Sequence, residues 1–202
     1  MKQYPVNLNI DYPEKSNKST ALFRLVLIIP IILILALISS YAEALSIAVA
    51  LMIIFKEKYP KWWFDWNVGI TKFIYRIAAY GLLMRDEYPS TDDEQAVQVD
   101  IPYPDVKKNL NRWMPLVKWF LAIPHLIALL FIFIAVIFCS VFAWFVILFT
   151  GRYPKRIFDF VEGFLRWSLR VNAYVFLLTT DEYPPFRLIE ERQVKLNKEY
   201  KN

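Results

Sequence analysis

The segment VNLNIDYPE at residues 6–14 returns as VQVDIPYPD at 97–105, and each copy leads into the same series of features: a long apolar run, a box reading Tyr-Pro-Lys, an amphipathic stretch and a closing DEYP. The chain is a tandem duplication. The offset between copies is 91 residues at the start, 94 from Pro30/Pro124 through Tyr80/Tyr174, and 95 at DEYP (86–89 and 181–184). Agreement is sparse but falls on distinctive residue types at constant spacing, among them Tyr59/Tyr153, Pro60/Pro154, Lys61/Lys155, Asp65/Asp159, Gly69/Gly163 and Arg76/Arg170. Any fold must therefore accommodate two similar units related by an approximate symmetry.

The apolar runs decide the environment. From Trp119 to Gly151 there are 33 consecutive residues without Asp, Glu, Lys or Arg, and Leu25 to Phe55 is broken only by Glu43. Each run exceeds the roughly 20 residues that cross a bilayer once. With 57% hydrophobic residues, 17% aromatics and 4 glycines, the balance is that of a membrane protein. The first twenty residues are polar and lack the pattern of a signal peptide, so none is expected. Cys139 is the sole cysteine, which leaves no internal disulfide and no cysteine-based metal cluster.

A single helix of about 35 residues would be about 52 Å long against roughly 30 Å of hydrocarbon. Lys and Arg number 4 before the first run, 10 between the runs and 10 after the second. A hairpin in each run places all of them on one face, as the positive-inside tendency prefers. The expected fold is thus an all-α membrane protein of two repeats. Each repeat is a transmembrane helical hairpin followed by an interfacial amphipathic helix, with short β-strands (about 6–10 and 97–101) pairing outside the membrane. Repeat 1 covers 1–92 (hairpin about 21–55, turn at Ser39 to Glu43, interfacial helix about 60–84). Repeat 2 covers 93–186 (hairpin about 115–150, interfacial helix about 154–179), and 187–202 is a polar tail. Copy two has no turn signal near Ile134, which leaves a re-entrant hairpin or a bent long helix as alternatives. An even number of crossings sets the pseudo-twofold axis along the membrane normal.

On a helical projection Lys155, Asp159, Glu162, Arg166 and Arg170 form one narrow stripe, echoed by Lys61, Asp65, Lys72 and Arg76, with aromatic and aliphatic residues elsewhere. This pattern suits the membrane–water boundary. The pairs Tyr59-Pro60 and Tyr153-Pro154 read as interface corners, tyrosine at headgroup depth and proline at the first helical position.

Few residues offer chemistry. His125 is the only histidine, with Ile31 as its counterpart; it reads as a membrane-interior histidine bonded to a neighbouring helix, with a proton or ligand site as the alternative. Glu43 is the other ligand or ion candidate, unless it meets water at a hairpin tip. Asp65 and Asp159 read as structural ion-pair partners, with Arg24 and Lys118 just before the apolar runs as candidate cations and Arg76 and Arg170 on the same seams, rather than as acid–base catalysts. No phosphate-binding loop, dinucleotide fingerprint, nucleophile elbow or metal-ligand spacing is present. No cofactor and no metal are expected. Nucleic acid is not an expected partner, since the cations are interleaved with 19 acids.

The stretches LVKWFLAIPHLIALL (116–130), AWFVILFTGRYPKRIFDFVEGFLRWSLRVNAYVFLLTTDEYPPF (143–186) and the diverged LFRLVLIIP…EKYPKWWFDWNVGITKFIYRIAAYGLLMRDEYP resemble the membrane proteins of the domain of unknown function 4389. Copy one departs from the pattern with Lys56-Glu57-Lys58 before its Tyr-Pro and with Glu43. The resemblance implies a bacterial-type integral membrane protein and supplies no catalytic residues. The resulting expectation is a non-enzymatic, multi-pass protein of the inner membrane with cytoplasmic termini. It would act as an accessory or scaffolding subunit that binds membrane lipids and a protein partner or a second copy. A small transporter or lipid-moving protein with a site at the repeat interface is the alternative.

Overall fold

The two alternating segments pair with each other. β1 (Asn7–Ile10) and β2 (Val97–Asp100) form an antiparallel two-stranded sheet in which Leu8 faces Val99 and Ile10 faces Val97. Leu8 and Val99 are equivalent in the duplication, so the pseudo-twofold axis passes through that pair. The alternation puts Val6, Leu8, Ile10, Val97, Val99 and Ile101 on one buried face. Each such side chain contributes about 1.5–3 kcal/mol when fully buried. A computed structural model describes residues 4–188 and leaves the side chains of 38–45 outside that description. The polar tail expected at 187–202 therefore falls outside it beyond Leu188.

The rest is helical. α1 (Lys18–Leu27) starts at Asn17, whose side-chain oxygen accepts the N–H groups of Ser19 and Thr20. A bend of 42° separates it from the first part of α2 (Ile29–Lys56), which carries Pro30 in its first turn. α3 (Lys61–Gly81) precedes β2, and the short α4 (Val106–Asn109) leads into α5 (Met114–Thr150) and α6 (Lys155–Val175). α3 and α6 have the same length, 21 residues, at the offset of 94. Pro60 and Pro154 cap them rather than occupying the first helical position, and each proline carbonyl accepts the third and fourth N–H groups beyond it.

The second apolar run does not fold back on itself. α5 is one helix of 37 residues, about 55 Å at 1.5 Å per residue. No glycine or proline stands between Pro124 and Gly151, so nothing supplies the dihedral angles of a turn. The hairpin expected at about 115–150 is replaced by the long helix, which ends at Gly151 in the left-handed region (φ 71°). The first turn, expected at Ser39 to Glu43, falls within α2 on residues whose side chains are not described.

α6 is largely covered by the rest of the chain rather than open along its apolar faces. Fourteen of its 21 residues are buried. α5 runs antiparallel along it, bringing Trp119 to Phe176, His125 to Trp167 and Phe133 to Phe164. β1 covers another side, where the outer edge of a two-stranded sheet presents unpaired backbone groups that need partners away from water. The charged seam supplies them: Ile10 N–H donates to Glu162 Oε1 at 3.1 Å and Arg166 Nε donates to the Leu8 carbonyl at 3.0 Å. Glu162 and Arg166 pair at 2.7 Å and are nearly inaccessible. A helical projection places that seam correctly but cannot tell a solvated stripe from one facing a strand edge.

α5 itself buries a thin seam, with Ala122, His125, Leu129, Val136, Ser140, Ala143 and Ile147 inward at close to heptad spacing. The remainder is open, including Phe120, Phe131, Phe138 and Phe149.

Candidate functional site

Two corners join the polar and apolar layers, each completed by the other repeat. Tyr12, in the arm after β1, donates its hydroxyl to the Tyr153 carbonyl of the second repeat; Tyr103, in the arm after β2, donates to the Tyr59 carbonyl of the first. The rings keep the same exchange, Tyr12 standing edge-on to Phe158 and Tyr103 to Phe64 at 5.0 Å each. Lys155 lies over Tyr12 and Lys61 over Tyr103. The arms also close the helix ends: Lys18 Nζ donates to the Phe149 carbonyl at the end of α5, and Arg112 donates to the Ile54 carbonyl near the end of α2. The Tyr59 hydroxyl accepts from Asn67 Nδ2 at 3.0 Å, and burial pushes its pKa up to about 12 against that bond. Burial likewise raises the pKa of Tyr153, whose hydroxyl donates to the Leu82 carbonyl at 3.3 Å. Both phenols stay protonated at neutral pH.

Arg24 and Lys118 build a second matched pair of contacts. Arg24 is buried, donates to the carbonyls of Tyr80 (2.7 Å) and Arg85 (2.6 Å), and pairs with Asp86 at 2.5 Å. Lys118 is buried, donates to the Thr180 carbonyl at 2.7 Å and pairs with Asp181 at 2.7 Å. The same aspartates accept the backbone N–H groups of Asn17 and Asn111. Each DEYP aspartate thus ties the end of an amphipathic helix to the start of an apolar one. Arg24 and Lys118 do not pair with Asp65 and Asp159, as the sequence had suggested; those carboxylates bond Lys61 and Lys155 one helical turn away, in exposed positions. The repeated DEYP, at nearly the offset of the two cations, is the signal that identifies the actual partners.

Arg76 donates to the Ser90 carbonyl at 2.6 Å, and Arg170 is almost fully buried and donates to the Arg187 carbonyl at 3.4 Å. Glu43 lies outside the described side chains. His125 is fully buried beneath Phe186, stacked at 3.8 Å, beside Tyr183 and Trp167. Trp167 Nε1–H donates to its Nδ1 at 3.1 Å, so the ring proton sits on Nε2, which has no partner among the described residues. No group of three or more metal-ligating side chains occurs among the described residues.

Beside the first corner lies a groove of about 650 Å³ between Glu57–Lys61 and Tyr103–Lys107. Its acids are engaged from outside, Glu57 by Arg112 at 3.3 Å and Asp105 by Lys108 at 3.4 Å. Glu57 adopts the left-handed conformation (φ 49°) at the position equivalent to Gly151.

The model of the family described as Domain of unknown function (DUF4389) matches residues 18–91 and again 112–187. The chain belongs to the DUF4389 family. Its two family units are the two halves of the duplication, and both strands and the arms after them fall outside the matched segments. The DUF4389 units therefore hold the helices and the DEYP contacts, while the swapped pieces lie between and before them. No curated protein and no solved structure matches the chain.

Proposed function

We propose that this DUF4389 protein is a non-enzymatic, multi-pass protein of the bacterial inner membrane, an accessory or scaffolding subunit that docks a partner protein or organises lipid. The observation that carries this reading is the surface of α5. It is the one described helix long and apolar enough to cross a membrane by itself, and less than a quarter of its most apolar stretch is buried. The core helix of a soluble protein would be mostly covered. α1 and the first part of α2 are together long and apolar enough to cross, with a 42° bend between them. These helices expose many large apolar side chains, Leu25, Leu37, Phe120 and Phe138 among them, as a surface meeting lipid would. In this reading the exposed faces of α1, α2 and α5 meet lipid, and the termini lie on the cytoplasmic side. The carboxylates Asp65 and Asp159 support a structural role, each being engaged by a lysine on its own helix.

An alkaline carbonate wash followed by mild-detergent purification tests the proposal. The protein should stay with the membrane and carry a reproducible partner or a retained lipid class; release by carbonate, or a lipid-free monomer in every mild detergent, overturns it. The second reading, a small transporter or lipid-moving protein, draws on the buried His125 with its unpartnered Nε2. Reconstituted flux or scrambling by the parent, reduced in His125→Ala or Glu43→Gln, would support it over the scaffold.

A further inference from the structure

We infer that the groove at the first corner binds the phosphate-bearing headgroup of an anionic membrane lipid. This deepens the membrane reading and rests on it. Lys58, Lys61 and Lys107 line the groove, and its two acids are neutralised by Arg112 and Lys108. Lys61 is shared with Asp65. Lys58 and Lys107 have neither a hydrogen bond nor an ion pair among the described residues, which leaves two uncompensated cations lining a cleft of about 650 Å³. That volume lies in the range of small-ligand sites. The adjoining first turn of α3 holds no acid and has no side-chain cap, so the positive end of the helix adds to the same field.

The groove is specific to one corner because the two arms differ in length. The arm in copy two has nine residues, Tyr103 to Asn111, and that in copy one has six, Tyr12 to Asn17. The longer arm contains α4, on which Lys107 lies. In the shorter arm Ser16 N–H closes directly onto the Gly151 carbonyl at 2.9 Å. A lipid rather than a free anion is indicated by what surrounds the groove. Phe55 at the end of α2 is 74% exposed and Trp62 at the start of α3 is 71% exposed, apolar surface suited to acyl chains beside a phosphate.

The full-length protein in mild detergent is titrated with phosphatidylglycerol, with phosphatidylcholine and with inorganic phosphate, and lipid retention is read by native mass spectrometry. The parent should retain phosphatidylglycerol selectively. Lys58→Gln/Lys107→Gln should weaken that retention about thirtyfold, on the basis of roughly 1 kcal/mol per cation near an anionic surface. The charge-matched control Lys72→Gln/Arg156→Gln, at exposed positions outside the groove, should leave it within about twofold. Equal losses in both double variants, no preference over phosphatidylcholine, or saturation by inorganic phosphate alone would each overturn the assignment. Carbonate extraction of the same variants separates the two readings: a protein that stays in the membrane without lipid selectivity removes the groove site alone, whereas one that washes off removes the membrane reading.

Discussion

Tyr12 of the first repeat bonds the Tyr153 carbonyl of the second, and its equivalent Tyr103 bonds the Tyr59 carbonyl in return. Each phenol reaches a backbone oxygen at a corner it does not precede in its own repeat. Tyr12→Phe or Tyr103→Phe keeps the ring packing and removes one hydrogen bond, costing about 1 kcal/mol each. The corners share no partner, so the double variant should lose about the sum of the two. Unfolding monitored by tryptophan fluorescence in mild detergent measures it.

Glu57 and Gly151 end α2 and α5 at equivalent positions, both in the left-handed region. Only glycine takes that conformation without steric cost. Glu57→Gly should raise stability by about 0.5–1 kcal/mol, its exposed pairing with Arg112 offsetting a little. Gly151→Ala should lower it by about 1–2 kcal/mol, because the new Cβ would also stand 3.3 Å from Lys18 Cε. A higher melting temperature for the first variant and a lower one for the second are the expected readings.

Lys118 is 1% exposed while its partner Asp181 is 21% exposed, so the two members are not equally replaceable. Asp181→Asn leaves a buried ammonium with little compensation and should cost about 3 kcal/mol. Lys118→Met removes the charge together with its desolvation penalty and should cost about 1 kcal/mol. Chemical denaturation of the two variants side by side tests the order.

Glu87 links the first DEYP to β2 by accepting from Arg85 and from the Ala96 N–H at 3.1 Å. Partial burial pulls its pKa up, but those bonds and the charges of Arg85 and Arg76 outweigh burial and hold it below 4.5. A carboxylate depressed in the folded state adds stability that is fully present above its unfolded pKa and disappears as pH falls through the folded one. Stability should therefore fall on acidification below about pH 4.5, and Glu87→Gln should flatten part of that slope. The effect is small because Glu87 is 41% exposed. Melting temperatures of parent and variant across the acid range give the comparison.

The duplication and the strand pairing were legible because period-2 alternation and rare residues at fixed offsets survive without a structure. Val6, Leu8 and Ile10 announced a buried strand face, and the offset changing from 91 to 94 already carried the unequal arms. The fate of the apolar runs was less visible. Hydropathy gives the length of a run and not whether it turns, and in α5 the decisive feature was the lack of any breaker between Pro124 and Gly151. The seam of α6 was legible as a stripe but not as the partner of Leu8 and Ile10, more than 150 residues away. Arg24 and Asp86 were hidden for the same reason: sequence shows that both recur, and only folding shows that they meet.

The exchanged arms make the two halves answerable to each other. A change that shortens or stiffens the segment between Tyr103 and Asn111 acts first on the corner of repeat one, and a change near Tyr12 acts on the corner of repeat two. Neither repeat can drift alone. A lesion in one is felt across the axis, so compensating substitutions belong in the opposite half of the chain, at the corner its arm completes.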